Sequence, residues 1–260
     1  MAINILKAKK EFEKYVENYN PKDAKIKLKI DHIERVAENA KKIAENLNLN
    51  QEDIELAELI GLLHDIGRFE QIKSYHTFLD HESINHGEFG VKILFEDGLI
   101  RKFIEADQYD KIIKLAILNH NRLNIENGLT EKEYLHAQII RDADKTDIYE
   151  VVTTDKKETI YGKRDLSDEK ISDEIYRQFL GEKLINYKDI KTPADLLVCH
   201  FKYVYDLNFK ESKQMIKENQ YIDKLYARFK FNDEETMKRF NEIYKLAKRE
   251  IGDGSQFNTN

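Results

Sequence analysis

The stretch "LIGLLHDIGRFEQ", Leu59 to Gln71, carries four aliphatic residues and a glycine straight into His64 and Asp65. Upstream, Ile54, Ala57, Ile60, Gly61 and Leu63 recur three and four apart, which predicts a buried helix from Asn50 to Ile66. His64 follows Ile60 and Gly61 by four and three, so it faces the same interior. Gly67 reads as the C-terminal stop of this helix, with Arg68 just beyond it.

Working outward, the same spacing recurs along the chain. A first helix is expected over about Ile3 to Tyr19, and a second over Ala24 to Leu47 with a stripe of Ile33, Val36, Ala37, Ala40, Ile43, Ala44 and Leu47. His32 lies one turn before Val36, at the edge of that stripe. Residues 70–85 read as a polar and aromatic loop, and a short helix then starts at His86. Two segments, Leu99–Ala106 and Asp110–Asn119, follow, the latter running into His120. A long helix from Glu131 to about Val152 has the stripe Leu135, Ile139, Ile140 and Ala143, with Asp144 one turn after Ile140. Asn50 with Asp53, Thr130 with Glu133 and Asn232 with Glu235 are helix starts of capping-box type. The prolines Pro21 and Pro193 both sit at helix starts, and Thr192 reads as the N-cap before Pro193, with Asp195 in the first turn.

No alternating strand pattern interrupts this, so the fold class is all-α. The expected organisation is a single helical domain over 1–252, with a motif core over about 24–152, a helical C-terminal extension over about 165–252 and a disordered tail over 253–260. With 260 residues, 41% of them hydrophobic, the chain is long enough to bury a large core. No apolar run approaches the ~18 residues of a membrane span, and "MAINILKAKKEFEKYVENY" is amphipathic rather than a signal peptide. The single cysteine, Cys199, excludes an internal disulfide and a cysteine zinc cluster, which points to a cytoplasmic protein. The net charge of −6 argues against a binder of bulk nucleic acid, so positive charge for a phosphate-bearing substrate has to be local. Bound metal ions are one source of it.

His32, His64, Asp65, His86, His120 and Asp144 each stand at the edge or end of an expected helix, beside positions that face the core. Burying such groups is costly unless they are hydrogen-bonded, paired or bound to metal, and one shared metal site satisfies all of them together. A lone inward histidine is more often a core residue; the set is the stronger signal. Imidazole and carboxylate without thiolate suit divalent Fe, Mn, Co, Ni or Zn.

These residues, in "LLHDIGR", "INHGEFGVKIL" and "IIRDADKTD", resemble the ordered motifs of the HD-domain superfamily of metal-dependent phosphohydrolases, over about His32 to Glu150. The resemblance implies an HD-domain-like helical bundle in which His32, His64, Asp65 and Asp144 hold a first divalent metal ion. Members with a second metal hold it through histidines at the places of His86 and His120, so the resemblance implies one ion or two, with Asp65 bridging where there are two and Mg added to the possible elements. It implies hydrolysis of a phosphate ester of a nucleotide or other small phosphorylated metabolite, with metal-activated hydroxide as nucleophile.

Asp65 and Arg68 are then the catalytic residues, Arg68 by neutralising phosphate charge where the family often has Lys; pairing of Arg68 with Glu70 at the surface is the competing reading. Lys145 is a similar candidate. His76 and His81 fall in the expected loop at the pocket mouth, His136 and His200 pack or face solvent, and Asp142 and Asp147 read as a solvated helix face. Two alternatives stay open: a di-iron oxygenase on the same ligands, and a non-catalytic metal- or nucleotide-binding regulatory module. "HNRLNIENGL" after His120 lacks the Gly-Tyr-Pro of cyclic-dinucleotide phosphodiesterases, which argues against that specificity. The C-terminal helices leave room for a homodimer.

Overall fold

The computed structural model describes residues 3–20, 22–181 and 184–252. Pro21 and the expected tail at 253–260 lie outside the described residues. Those residues form helices, turns and loops with no strand, as the periodicity predicts. None of the helices is long and apolar enough to cross a membrane. The chain divides into two compact units, Met1–Asp147 and Ile148–Asn260.

The first unit contains α1 (Ile5–Val16), α2 (Ala24–Asn46), α3 (Gln51–Leu63), α4 (Gly67–Tyr75), α5 (His86–Val91), α6 (Ile100–Phe103) and α7 (Asp110–His120). It also contains α8 (Glu131–Thr154) as far as Asp147. Asn50 caps α3 by accepting from the Asp53 amide, and Thr130 and Glu133 form the reciprocal box at the start of α8. From Leu56 to Leu63 every residue of α3 is buried, so this helix is enclosed on all sides rather than striped.

Its approach to α2 is set by Gly61. A Cβ there would stand 2.6 Å from the Ala37 Cα, closer than two carbons can sit. Glycine facing alanine therefore lets the two backbones meet, and that contact brings His32 and His64 into reach of each other.

Two expectations for this region are corrected. Gly67 does not stop α3: His64, Asp65 and Ile66 form the turn, and Gly67 opens α4. Its role is close packing, because a Cβ on it would fall 2.4 Å from the His86 carbonyl oxygen and 2.6 Å from the Gly90 nitrogen. Residues 70–75 are accordingly helical rather than loop, since Phe69 and Ile72 are buried and supply the apolar anchors for another two turns.

The second unit holds α9 (Lys157–Tyr161), α10 (Asp173–Leu180), α11 (Pro193–Lys202), α12 (Lys210–Glu218), α13 (Tyr221–Ala227) and α14 (Glu234–Glu250). They close over a core of their own that includes Phe179, Leu197, Phe201, Ile222 and Phe240. The Thr192 box with Pro193 at the start of α11 forms as expected. The expected Asn232 cap is displaced by one residue, because Asp233 accepts from the Thr236 amide and starts α14.

Candidate metal centre

Five helices deliver the six cluster residues. His32 comes from α2, His64 and Asp65 from the turn after α3, His86 from the first position of α5, His120 from the last of α7, and Asp144 from α8. All are buried except Asp144, which is 18% exposed.

The imidazoles share one hydrogen-bond pattern. Nδ1 of His32 lies 2.6 Å from Asp147 Oδ2, Nδ1 of His64 2.7 Å from the Gly61 carbonyl, Nδ1 of His86 2.6 Å from Asp80 Oδ2, and Nδ1 of His120 2.6 Å from the Ile117 carbonyl. An oxygen acceptor at Nδ1 requires the proton to be there, so each neutral ring carries a lone pair on Nε2. The Nε2 atoms point at the two carboxylates. His32 and His64 reach Asp144 Oδ1 at 3.2 and 3.8 Å and Asp65 Oδ2 at 3.7 and 3.8 Å. His86 and His120 reach Asp65 Oδ1 at 3.3 and 3.7 Å.

Asp65 therefore turns one oxygen toward each histidine pair, the disposition expected of a bridging carboxylate. Among the described residues, His32, His64 and Asp144 form one set able to hold a cation, and His64, Asp65 and His120 another.

This arrangement fits divalent metal. Nε2 of His32, Nε2 of His64 and Oδ1 of Asp65 are buried without a hydrogen-bond partner, a costly condition for three polar atoms in one place. Nε2 of His86 and Nε2 of His120 face each other at 2.9 Å, two lone pairs that need a positive charge between or beside them. A metal–nitrogen bond of about 2.1 Å puts neighbouring ligand atoms ~3–4 Å apart, the spacing found throughout the cluster.

The electrostatics are those of a cation site. Burial pushes the Asp65 carboxyl up, but Lys29 and the surrounding histidines hold it well below its ordinary value. Burial is likewise outweighed at Asp144, by His32 and His64. Burial lowers His64, and brings His86 down to about 4, so both rings are neutral. At His32 burial and Lys29 pull downward, yet Asp144 and Asp147 prevail and its pKa lies above the ordinary value.

Arg68 does not pair with Glu70. Its Nη1 donates to the Phe78 carbonyl at 2.6 Å, Gln71 Oε1 at 2.8 Å and Asp80 Oδ1 at 2.9 Å, while its Nε is buried 3.6 Å from Asp65 Oδ1 with no hydrogen bond. His76 and His81 are exposed. His136 is buried against Asp53 at 3.1 Å, and His200 is buried with the Tyr161 hydroxyl 3.0 Å from its Nδ1. Lys145 is buried as well.

The expectation of a solvated face at Asp142 and Asp147 is overturned. Both are buried, and Asp147 binds His32 and Arg35. Asp147 follows Asp144 by three, so the two share a face of α8. Lys29, also missed, precedes His32 by three on α2 and places its ammonium 2.6 Å from Asp65 Oδ2. Asp80 carried no such signal.

The described residues thus form a helical protein in which imidazoles and carboxylates converge on one buried centre able to hold a metal ion. Residues 30–149 match the family model of the HD domain, a stretch that takes in all six cluster residues. Residues 30–149 are thus similar to the HD domain, the family that the motifs resemble. No curated protein and no solved structure matches the chain significantly.

Proposed function

We propose that the protein is a metal-dependent phosphohydrolase that cleaves a phosphate ester of a nucleotide or another small phosphorylated metabolite. The observation that carries this reading is the convergence of four imidazole Nε2 atoms on the two oxygens of Asp65 and on Asp144 Oδ1. His32, His64, Asp65 and Asp144 are the residues that would hold one ion; His86, His120 and Asp65 would hold another. When bound, such ions lower the pKa of water toward neutrality and offset the charge of phosphate oxygens.

The protein's own groups do the rest. Asp65 ties the two halves of the cluster together. The Nη1 of Arg68 is fully engaged, which leaves its Nε edge beside Asp65 to take phosphate oxygens by charge-assisted hydrogen bonds. The apolar residues Leu59, Leu62 and Leu63 that lead into the His64–Asp65 turn are buried.

The experiment is metal analysis of the purified protein followed by a metal-supplemented screen of nucleotides and phosphomonoesters. Release of inorganic phosphate that depends on added Mn, Co, Ni, Zn, Mg or Fe supports the reading. Iron content with substrate-dependent oxygen consumption and no phosphate release replaces it with an oxygenase.

A further inference from the structure

We propose that Asp80 is a positioning residue: one carboxyl group that fixes the tautomer of His86 and, from its other oxygen, holds Arg68 over Asp65. This rests on the reading of the cluster as a metal-dependent hydrolytic site and assigns a residue that the HD motifs leave out.

Asp80 begins a single 3-10 turn, Asp80–Glu82, in the segment after α4. Its neighbours Leu79, His81 and Glu82 are exposed, whereas Asp80 turns inward and keeps only 30% of its side chain accessible. Oδ2 accepts from His86 Nδ1 at 2.6 Å; Oδ1 accepts from Arg68 Nη1 at 2.9 Å and from Gln71 Nε2 at 3.0 Å. Gln71 is fully buried on α4, and its amide also donates to the Ile84 carbonyl at 2.9 Å, which ties the segment to the helix. The Asn121 amide nitrogen is farther from the same His86 nitrogen, at 3.3 Å, and donates to Asn85 Oδ1 at 3.1 Å.

A carboxylate has acceptors on both oxygens and no donor. Facing His86 it therefore demands Nδ1–H, and the lone pair goes to Nε2, which points at Asp65 Oδ1 and at His120 Nε2. Facing Arg68 it occupies Nη1 and leaves the Nε edge toward Asp65. An amide at this position cannot do both. Its single acceptor oxygen would serve the two donors Arg68 and Gln71, turning the NH2 toward His86 Nδ1. His86 would then take the Nε2–H tautomer and direct a proton into the cluster.

The test is Asp80→Asn, with Asp80→Glu and the exposed-neighbour control His81→Ala beside it. Nitrogen-15 NMR of the metal-free proteins reads the His86 tautomer directly: Nδ1–H is expected in the wild type, Asp80→Glu and His81→Ala, and Nε2–H in Asp80→Asn. Titration with manganese(II) should show affinity at the second site falling by roughly 10–100-fold in Asp80→Asn. With p-nitrophenyl phosphate, the same variant should raise KM by ~10-fold or more through the loosened Arg68.

An Nε2–H tautomer in the folded wild type overturns the proposal, and needs no variant to fold. So does an Asp80→Asn protein with Nδ1–H at His86 and unchanged manganese affinity. A wild type with the Nδ1–H tautomer, Asp80-dependent manganese binding and no phosphatase activity supports the Asp80 assignment while overturning the hydrolase reading alone.

Discussion

Lys29 Nζ lies 2.6 Å from Asp65 Oδ2, so an ammonium from α2 and the carboxylate of the α3–α4 turn form an ion pair inside the histidine cluster. Lys29 is 16% and Asp65 3% exposed, which makes this pair far less screened than a surface bridge. Removing one partner of a buried pair typically costs ~3–5 kcal/mol, because the remaining charge stays desolvated. Lys29→Met should therefore lower the thermal midpoint of the chelator-treated protein. Divalent metal also neutralises Asp65, so the deficit should shrink in metal-loaded protein. An equal deficit with and without metal would show that Lys29 acts by packing alone.

His64→Ala and Asp65→Ala should each lose bound metal and phosphatase activity together, since His64 faces both carboxylates and Asp65 faces all four imidazoles. The measurement is metal content by mass spectrometry alongside phosphate release. Unchanged metal content in both variants rules out the cluster as the metal site.

Metal affinity should fall as pH drops, with His32 setting the first loss. Its folded pKa is above the ordinary value, so in metal-free protein the proton it binds stabilises the fold at low pH, a contribution lost as pH rises through that pKa. A metal must displace that proton, so affinity declines by up to about tenfold per unit once pH falls below it. His86, held down to about 4 by burial, is neutral over the same range and adds its own loss only near that value. Calorimetric titration with manganese(II) between pH 5 and 8 checks this. Affinity that is flat over the window counts against ligation by His32.

The second unit carries its own acid sensitivity at His200. Burial lowers this imidazole to about 3, so it stays neutral in the folded protein and charges only on unfolding. A depressed pKa contributes stability that is present above the unfolded value near 6.5 and lost as pH falls toward about 3. The swing is on the order of a few kcal/mol. His200→Phe should flatten the denaturant midpoint of this unit across that window, and an unaltered pH profile would exclude His200 as its cause.

Gly67→Ala should destabilise by ~1–3 kcal/mol, the usual result of forcing a methyl into filled space. Its Cβ would meet the His86 carbonyl oxygen at 2.4 Å, so the strain falls on α5 and on a cluster ligand. Urea unfolding gives the stability loss, and metal titration should show weaker binding than in the wild type. Full stability in the variant would mean that α4 and α5 separate without cost.

Much of this was legible in the chain. Three- and four-residue spacing places α2, α3 and α8 within a few residues of their observed ends, because the apolar residues that carry the spacing are largely buried. The cluster residues were legible because each interrupts such a face with a group that needs a partner. Local propensity points to a stop at Gly67 and a loop over 70–75, whereas the close fit of Gly67 against His86 and Gly90 and the burial of Phe69 and Ile72 make this segment α4. A solvated face is the default expectation for Asp147, yet its offset of three from Asp144 puts both on one side of α8.

By itself the sequence determined an all-helical chain and the six residues that meet at its centre, since helical periodicity says which side chains share a face. Only the tertiary structure decided what those faces meet. Asp80 with His86 and Arg68, Lys29 with Asp65, and Asp147 with His32 and Arg35 are contacts set by helix crossings and by one inward turn of a connecting segment. Those crossings depend on where Gly61 and Gly67 allow backbones to touch, and periodicity within a single helix holds no information about the distance to its neighbour.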